Sequence, residues 1–168
     1  MSLNGWQFYK CNVNDELAFV YLDLSLNEFK SKGEYPVVSW YWIKLNMPRD
    51  DGLSSEEEFD ALVAHEDRVL EMLDSDRAIY AGRITTRGMR QFYFYTRRGF
   101  DFATKLKDFI GGKPKFQFQL GEKADVDWKH YQNTLYPGEN GIRQILERAE
   151  QEKQQIAQHG PRKRGRLA

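Results

Sequence analysis

The chain reads AIYAGRITTRGMRQFYFYT from Ala78 to Thr96. Two runs rich in aromatic and β-branched residues, 78–84 and 89–95, flank a connection that contains Gly88, and this pattern predicts a β-hairpin. From Arg77 to Arg98, both included, the chain has six arginines and no acidic residue. The arginines indicate either a surface that binds anions or a sheet whose acidic partners lie on a neighbouring helix.

Four further strands and two helices are predicted around this hairpin. The strands are expected at 6–13, 17–24, 37–45 and 116–120, where apolar and aromatic residues alternate or run continuously. Apolar residues recur at helical spacing in two stretches, which predicts one helix from about Phe59 to Leu73 and another from Phe100 to Ile110. Ser54 and Ser55 precede Glu57 and Glu58 by three residues and predict a capping box at the start of the first helix.

The order of these elements predicts the fold. From residue 37 to residue 120 it is strand, helix, strand, strand, helix, strand. This order predicts an α+β fold of ferredoxin-like type, a split βαβ arrangement in which two helices cover one face of an antiparallel sheet. The N-terminal hairpin is additional to this core, and we expect it to extend the sheet or to fold over its open face.

Length and charge indicate one domain with an appendage. The chain has 168 residues. A domain of about this length buries roughly 70% of the surface that its unfolded chain exposes. We expect a single α+β domain over 1–137, a C-terminal helix over 138–159, and a basic, disordered tail over 160–168. The apolar stripe of that helix, formed by Ile142, Ile145, Leu146, Ala149 and Ile156, predicts docking against the protein's own sheet or against a second copy.

Several functional classes lack support in the sequence. One cysteine, Cys11, excludes an intrachain disulfide, and no apolar run approaches the roughly 20 residues of a membrane span. Without a basic and apolar leader, we expect a cytoplasmic protein that does not act at a membrane. Three widely spaced histidines form no metal-binding pattern, and no nucleotide-binding or hydrolase motif occurs. We therefore expect no metal and no cofactor.

The strands predict an aromatic face. If Phe92 and Phe94 point towards the helices, strand alternation turns Tyr93 and Tyr95 to the other side, together with Trp40 and Trp42 of the preceding strand. Exposed rings of this kind stack bases in RNA-recognition sheets, so the four residues form a possible nucleic-acid face. The alternative is that the N-terminal hairpin and the C-terminal segment cover them.

A second set of residues has the chemistry of an anion pocket. Arginine supplies a planar, two-pronged donor, and aromatic neighbours supply stacking. The candidate ligand-binding residues are Arg49, Asp67, Arg83, Arg90, Trp128, His130, Tyr131 and Tyr136. In a purely structural interpretation, Arg83 and Arg90 pair with acids of the first helix, while Trp128 and Tyr136 hold the end of the domain.

Three ordered motifs resemble a known family. They are NMPRDDGLSS at 46–55, GRITTRGMRQFYFY at 82–95, and DWKHY at 127–131 followed by Leu135-Tyr136-Pro137. The chain resembles the bacterial domain-of-unknown-function family six-nine-five from about Trp6 to Pro137. The resemblance implies no catalytic residue, because the family has no established activity. Relatives often precede a domain resembling the inhibitor protein B type of ribonuclease E regulator, whereas here one helix and a tail follow Pro137.

Together these patterns favour binding over catalysis. We expect a non-catalytic binding or regulatory domain that acts on a macromolecular partner, either a protein or a second copy. One alternative is a small-anion pocket or an enzyme that uses the Arg83, Arg90 and His130 region, with His130 as the acid or base near neutral pH. A further alternative is RNA binding through the aromatic face.

Overall fold

The computed structural model describes residues 4–73 and 76–160. Within these residues it contains six strands, β1 Trp6–Val13, β2 Glu16–Asp23, β3 Val37–Lys44, β4 Ala78–Thr86, β5 Met89–Thr96 and β6 Phe118–Ala124. The α-helices are α1 Phe59–Met72, α2 Phe102–Ile110 and α3 Glu139–His159. Short turns of 3-10 helix lie at Leu24–Glu28, Lys32–Glu34 and Glu56–Glu58, and a π-helical turn lies at Tyr131–Leu135. The strand predicted at 116–120 begins later and runs on to Ala124.

The six strands form one antiparallel sheet in the order β1-β2-β4-β5-β3-β6. The hairpin predicted between Ala78 and Thr96 is the β4–β5 pair. Thr86 pairs with Met89, so Arg87 and Gly88 form a two-residue turn, and both have positive φ, at 53° and 73°. Positive φ at both positions is what a type I′ turn needs, and this turn matches the twist of the strands it joins.

Helices α1 and α2 cover one face of the sheet. The buried side chains between them and the strands are Tyr41, Ile43, Leu45, Leu62, Val69, Leu73, Phe92, Phe94, Phe100, Phe102, Leu106 and Phe116. The predicted orientation of Phe92 and Phe94 towards the helices is therefore confirmed, and Tyr41 and Ile43 of β3 point the same way. Alternation along each strand places the neighbouring residues on the opposite face.

The predicted capping box at the start of α1 is wrong. Ser55 makes no capping hydrogen bond, and the 3-10 turn Glu56–Glu58 leads into the helix. Glu58 is buried and turns to the loop after β3, where its carboxylate accepts hydrogen bonds from the N–H groups of Asn46, at 2.9 Å, and Met47, at 2.7 Å. The Glu58 carboxylate, which the sequence pattern assigned to the start of the helix, therefore satisfies the amides of this loop instead.

The N-terminal hairpin extends the sheet, because β2 pairs with β4. The face opposite α1 and α2 carries a second core, formed by Tyr9, Ala18, Val20, Leu22, Leu24, Leu26, Tyr35, Val38, Ala81, Ile84, Tyr93, Tyr95, Trp128, Tyr131, Leu135 and Ile145. Three stretches outside the strands contribute side chains to this second core. They are the turn at Leu24–Glu28, residues 125–136, and the first half of α3. Each face of the sheet thus has its own apolar cover.

Helix α3 docks along the outer strand β1, so the predicted docking on the protein's own sheet is confirmed for its first half. Ile145 is buried, whereas Ile156 is 53% exposed. The side chain of Gln144 both accepts from the N–H and donates to the carbonyl of Lys10, at 2.9 Å and 2.8 Å. The helix therefore closes this edge of the sheet.

The basic tail predicted over 160–168 lies, apart from Gly160, outside the described residues. No helix in the described part of the chain has the length and apolar character needed to cross a membrane.

Candidate functional site

A cleft of about 270 Å³ opens on the face of the sheet opposite α1 and α2. Its lining includes Val38, Trp40, Trp42, Gln91, Tyr93, Lys123 and His130. Trp40 pairs with Tyr93 across β3 and β5, and Trp42 pairs with Gln91, so strand alternation places all four side chains on one face. Both indoles are only partly buried. The cleft therefore offers apolar rings to a molecule in solution.

Gly121 makes room for the indole of Trp40. The two residues pair across β6 and β3, and a Cβ built on Gly121 would lie 2.3 Å from Cζ2 of Trp40. The indole thus covers the backbone of β6 at the point where a side chain is missing. Lys123, two residues further along β6, shares the face of Gly121 and borders the cleft.

His130 borders the cleft where residues 125–136 cross the sheet. Its ring centroid lies 4.4 Å from that of Tyr93. Nε2 of His130 is buried and has no hydrogen-bond partner among the described residues. Burial lowers the pKa of His130, and the charge of Lys123 lowers it further, so the ring is neutral at pH 7. A buried ring nitrogen of this kind is normally satisfied by a bound group or a water.

The cleft has few polar groups, and a hydrogen bond fixes the orientation of one of them. Burial raises the pKa of Tyr93 to about 12, and its hydroxyl donates to Oε1 of Gln91 at 2.7 Å. This bond directs the amide oxygen of Gln91 towards Tyr93 and turns the NH₂ group away from it. Aromatic rings beside one ammonium, one amide and one neutral imidazole can bind a planar group and a negative charge next to it. Within 4–73 and 76–160, no group of three or more His, Cys, Asp or Glu side chains is placed to hold a metal ion.

Asp125 holds the 125–136 segment on the sheet. Its carboxylate accepts hydrogen bonds from the N–H groups of Lys129, at 2.9 Å, and His130, at 3.0 Å, and from the hydroxyl of Tyr95, at 2.7 Å. Burial alone would raise the pKa of Asp125, but these hydrogen bonds outweigh it and hold the pKa below its usual value. An ionised carboxylate therefore fixes His130 beside the cleft.

The sheet separates Arg83 and Arg90 from His130. Arg83 pairs in register with Phe92, which faces the helices, whereas the ring of His130 lies against Tyr93 on the other face. Arg90 pairs with Ile43 and also faces the helices. The two arginines and the histidine consequently do not share a pocket.

Arg83 instead forms a buried ion pair with Glu66 of α1, as the structural interpretation predicted. Its guanidinium lies 4.6 Å from the ring centroid of Tyr21. The other carboxylate oxygen of Glu66 accepts a hydrogen bond from the hydroxyl of Tyr80 at 2.6 Å. The partner for this arginine therefore comes from the buried face of the first helix, where Glu66 lies between Leu62 and Val69.

Arg90 and Arg49 also have local partners. Arg90 donates to Oγ1 of Thr85 at 3.0 Å and to Oγ of Ser54 at 3.2 Å, which are hydroxyls rather than the predicted carboxylates. Burial lowers the pKa of Arg90 to about 10. Arg49 lies in the loop after β3 and pairs with Asp51 at 2.6 Å, with 55% of its side chain exposed.

The remaining predicted residues lie in two places. Asp67 is exposed on α1 and borders a depression of about 500 Å³ between α1 and β4. Trp128 stacks on Tyr95 with ring centroids 3.9 Å apart, and Tyr131 donates its hydroxyl to the carbonyl of Asp23 at 2.7 Å. The ring of Tyr136 packs against that of Tyr131. The aromatic residues at 128–136 thus fasten the chain to the sheet.

The predicted nucleic-acid face is only partly open. Tyr95 is fully buried and Tyr93 is 8% exposed, because residues 125–136 cross over them. A nucleic-acid face would need all four rings exposed, and these two tyrosines do not meet that requirement. For them the alternative holds, because a segment that follows the last strand covers both rings. Trp40 and Trp42 keep their exposure and belong to the cleft.

Gly121, Lys123 and Asp125 are among the residues of this region that the sequence analysis did not single out. A signal for the first two was present, because the alternation of Gln117 and Gln119 continues through 121 and 123 onto the same face. For Asp125, the available signal was an acidic side chain a few residues before a helical turn, the usual position of a cap.

Comparison with known proteins identifies a family. The model of a family of unknown function, DUF695, matches residues 4–136, which include all six strands and every residue of the cleft. The comparisons with curated proteins and with solved structures gave no match. Because the matched region is most of the 168 residues, the chain belongs to the DUF695 family of unknown function.

Proposed function

We propose that this chain is a non-catalytic binding domain, and that its cleft takes a planar group with an adjacent negative charge from a macromolecular partner. The observation that carries the proposal is the meeting of Trp40, Trp42, Tyr93, His130 and Lys123 in one cleft. The rings supply stacking, and Lys123 supplies the positive charge.

The size and polarity of the cleft support a small recognition element. At about 270 Å³ it lies just below the range of pockets for drug-sized ligands, roughly 300–1,000 Å³. One ring system with one charged substituent suits such a volume. Aromatic amino-acid residues with a nearby carboxylate and single nucleotides both have this chemistry, and stacking of a base on an aromatic side chain contributes about 1–3 kcal/mol.

The proposal predicts that Trp42→Ala weakens binding of ring-bearing anions. N-acetyltryptophan and adenosine monophosphate are suitable probes, because each carries one ring system and a negative charge. We expect at least one of them to bind, and to bind about tenfold or more weakly to the variant, since a stacking partner is lost. Calorimetric titration gives the dissociation constants.

Trp6→Ala is the matched control. Trp6 is also a partly exposed indole, at 36%, but it stacks on Tyr21 and Tyr80 at the outer part of the opposite face. The Trp6→Ala variant should bind both probes with unchanged affinity. N-acetyltryptophan amide, which has the same ring without the charge, should bind more weakly than N-acetyltryptophan. Binding of neither anion, or equal loss in both variants, would show that the cleft is not the site.

We also infer that β3 to β6 with α1 and α2 form a ferredoxin-like split βαβ unit, to which the N-terminal hairpin is added as two further strands. In support, these four strands lie in the order β4-β5-β3-β6 with antiparallel neighbours, and both helices pack on one face. The opposite face of that unit carries the cleft.

A further inference from the structure

Strand β6 is the outermost strand on the side of the cleft, and its outer backbone groups point away from the sheet. At the two ends of its ladder with β3, the carbonyl of Gln117 accepts from the N–H of Lys44 at 2.9 Å, and the N–H of Asp125 donates to the carbonyl of Pro36 at 2.8 Å. The register between them is continuous. In an antiparallel ladder, the backbone groups of successive residues point alternately towards the partner strand and away from it. The N–H and C=O groups that face outwards are therefore those of Phe118, Leu120, Glu122 and Ala124.

The two edges of the sheet differ in how they are covered. At β1, side chains of α3 form hydrogen bonds with the outward backbone groups. Gln144 bonds both the N–H and the carbonyl of Lys10, and Arg148 donates to the carbonyl of Phe8. In the described part of the chain, no hydrogen bond reaches the outward groups of β6. A row of unpaired N–H and C=O groups is a template for a further strand.

The cleft lies directly beside this open edge. A strand added to β6 would place alternate side chains on the cleft face, next to Gln119, Gly121 and Lys123. The side chain next to Gly121 would meet the indole of Trp40, which lies over that glycine. The side chain next to Lys123 would meet an ammonium group.

We propose that β6 and the adjoining cleft dock an extended peptide segment of a partner protein, which adds to the sheet as a seventh strand. Main-chain hydrogen bonds to the outward groups of β6 supply affinity, and alternate side chains supply specificity. The segment carries an aromatic residue for the Trp40 position and, two residues away, an acidic residue for Lys123. This inference rests on the proposed function for what fills the cleft, and it adds the class of partner and the mode of docking.

A designed peptide tests the inference. The probe is acetyl-Thr-Glu-Thr-Trp-Thr-Val-Thr-amide, which in antiparallel pairing sets Trp next to Gly121 and Glu next to Lys123. We expect it to bind, and we expect the same peptide with N-methylated threonines to bind at least about tenfold more weakly, because those residues make the main-chain bonds to β6. Binding is measured by fluorescence anisotropy of a labelled peptide.

Two variants at one position test the same contact from the protein side. Proline is compatible with an edge strand where the N–H points to solvent, so Glu122→Pro removes an outward donor and keeps the bonds to β3. Glu122→Ala removes the same side chain and keeps the donor. The peptide should bind at least about tenfold more weakly to Glu122→Pro than to Glu122→Ala. If Glu122→Pro fails to fold, the N-methylated peptide still decides the question.

The outcomes separate this inference from the proposed function. If N-acetyltryptophan binds but the N-methylated and unmethylated peptides bind equally well, strand addition is overturned while the cleft remains a site. Equal peptide affinity of the two Glu122 variants leads to the same conclusion. If neither N-acetyltryptophan nor adenosine monophosphate binds, the proposed function itself fails. If an eight-residue uridine oligonucleotide binds and the peptide does not, the partner is a nucleic acid and the inference is overturned.

Discussion

Replacing Glu66 with glutamine should lower the free energy of unfolding by about 3–5 kcal/mol. Glu66 is 9% exposed and Arg83 is 3% exposed, and their carboxylate and guanidinium are in contact. Removing one charge of a buried pair leaves the other charge desolvated without its opposite, and glutamine keeps the shape while removing the charge. Urea denaturation of the two proteins measures the difference.

Two further variants make this result specific. Glu57→Gln makes the same chemical change at an exposed position near the start of α1, and should stay within about 0.5 kcal/mol of the unaltered protein. Replacing both partners, with Glu66→Leu and Arg83→Met, should recover much of the lost stability, because no unpaired charge remains buried. If Glu66→Gln cost no more than Glu57→Gln, the ion pair would not be part of what holds α1 on the sheet.

Trp128→Ala should destabilise the protein by about 3–5 kcal/mol. The indole is fully buried, stacks on Tyr95, and donates from Nε1 to the carbonyl of Tyr35 at 2.9 Å. Trp128 also has a positive φ of 55°, which is uncommon for a bulky residue and is held here by the surrounding contacts. Alanine would leave a cavity under residues 125–136 and an unsatisfied carbonyl. Thermal and denaturant unfolding report the loss.

The same variant should loosen the cover over the tyrosines. Without the indole, residues 125–136 lose their main apolar contact, so limited proteolysis should cut this stretch faster than in the unaltered protein. Trp6→Ala, which truncates a partly exposed tryptophan at the outer strand, should cause a smaller loss of stability and no new cleavage there. Equal losses in the two variants would contradict the anchoring role of Trp128.

Local patterns predicted the elements well. Turn chemistry and alternation in the β4–β5 hairpin depend on neighbouring residues, which is why Phe92 and Phe94 were placed on the helix-covered face correctly. The capping box failed because Glu58 bonds amides of a loop more than ten residues earlier in the chain. A tertiary contact of this kind has no signal in the local sequence.

The candidate site was predicted in parts. Trp40, Trp42 and His130 were each singled out, but in two separate sets, since the position at which 125–136 crosses the sheet depends on long-range contacts such as that between Asp125 and Tyr95. Arg83 was grouped with His130 because sequence gives no register between β4 and the later segment. Pairing of Arg83 with Phe92 puts it on the other face.

The central claim is that the cleft is a binding site. The four tryptophans of the protein allow the most direct measurement of it. Trp40 and Trp42 lie in the cleft, Trp6 on the opposite face, and Trp128 in the core, so a ¹⁵N–¹H spectrum carries two indole signals from the cleft and one from each of the other two environments. The seven-residue peptide Thr-Glu-Thr-Trp-Thr-Val-Thr and N-acetyltryptophan, both unlabelled, are each titrated into labelled protein. We predict that the indole signals of Trp40 and Trp42 shift with both, while those of Trp6 and Trp128 stay in place. Shifts confined to Trp6, or no shift of any indole signal at saturating probe, would contradict the account.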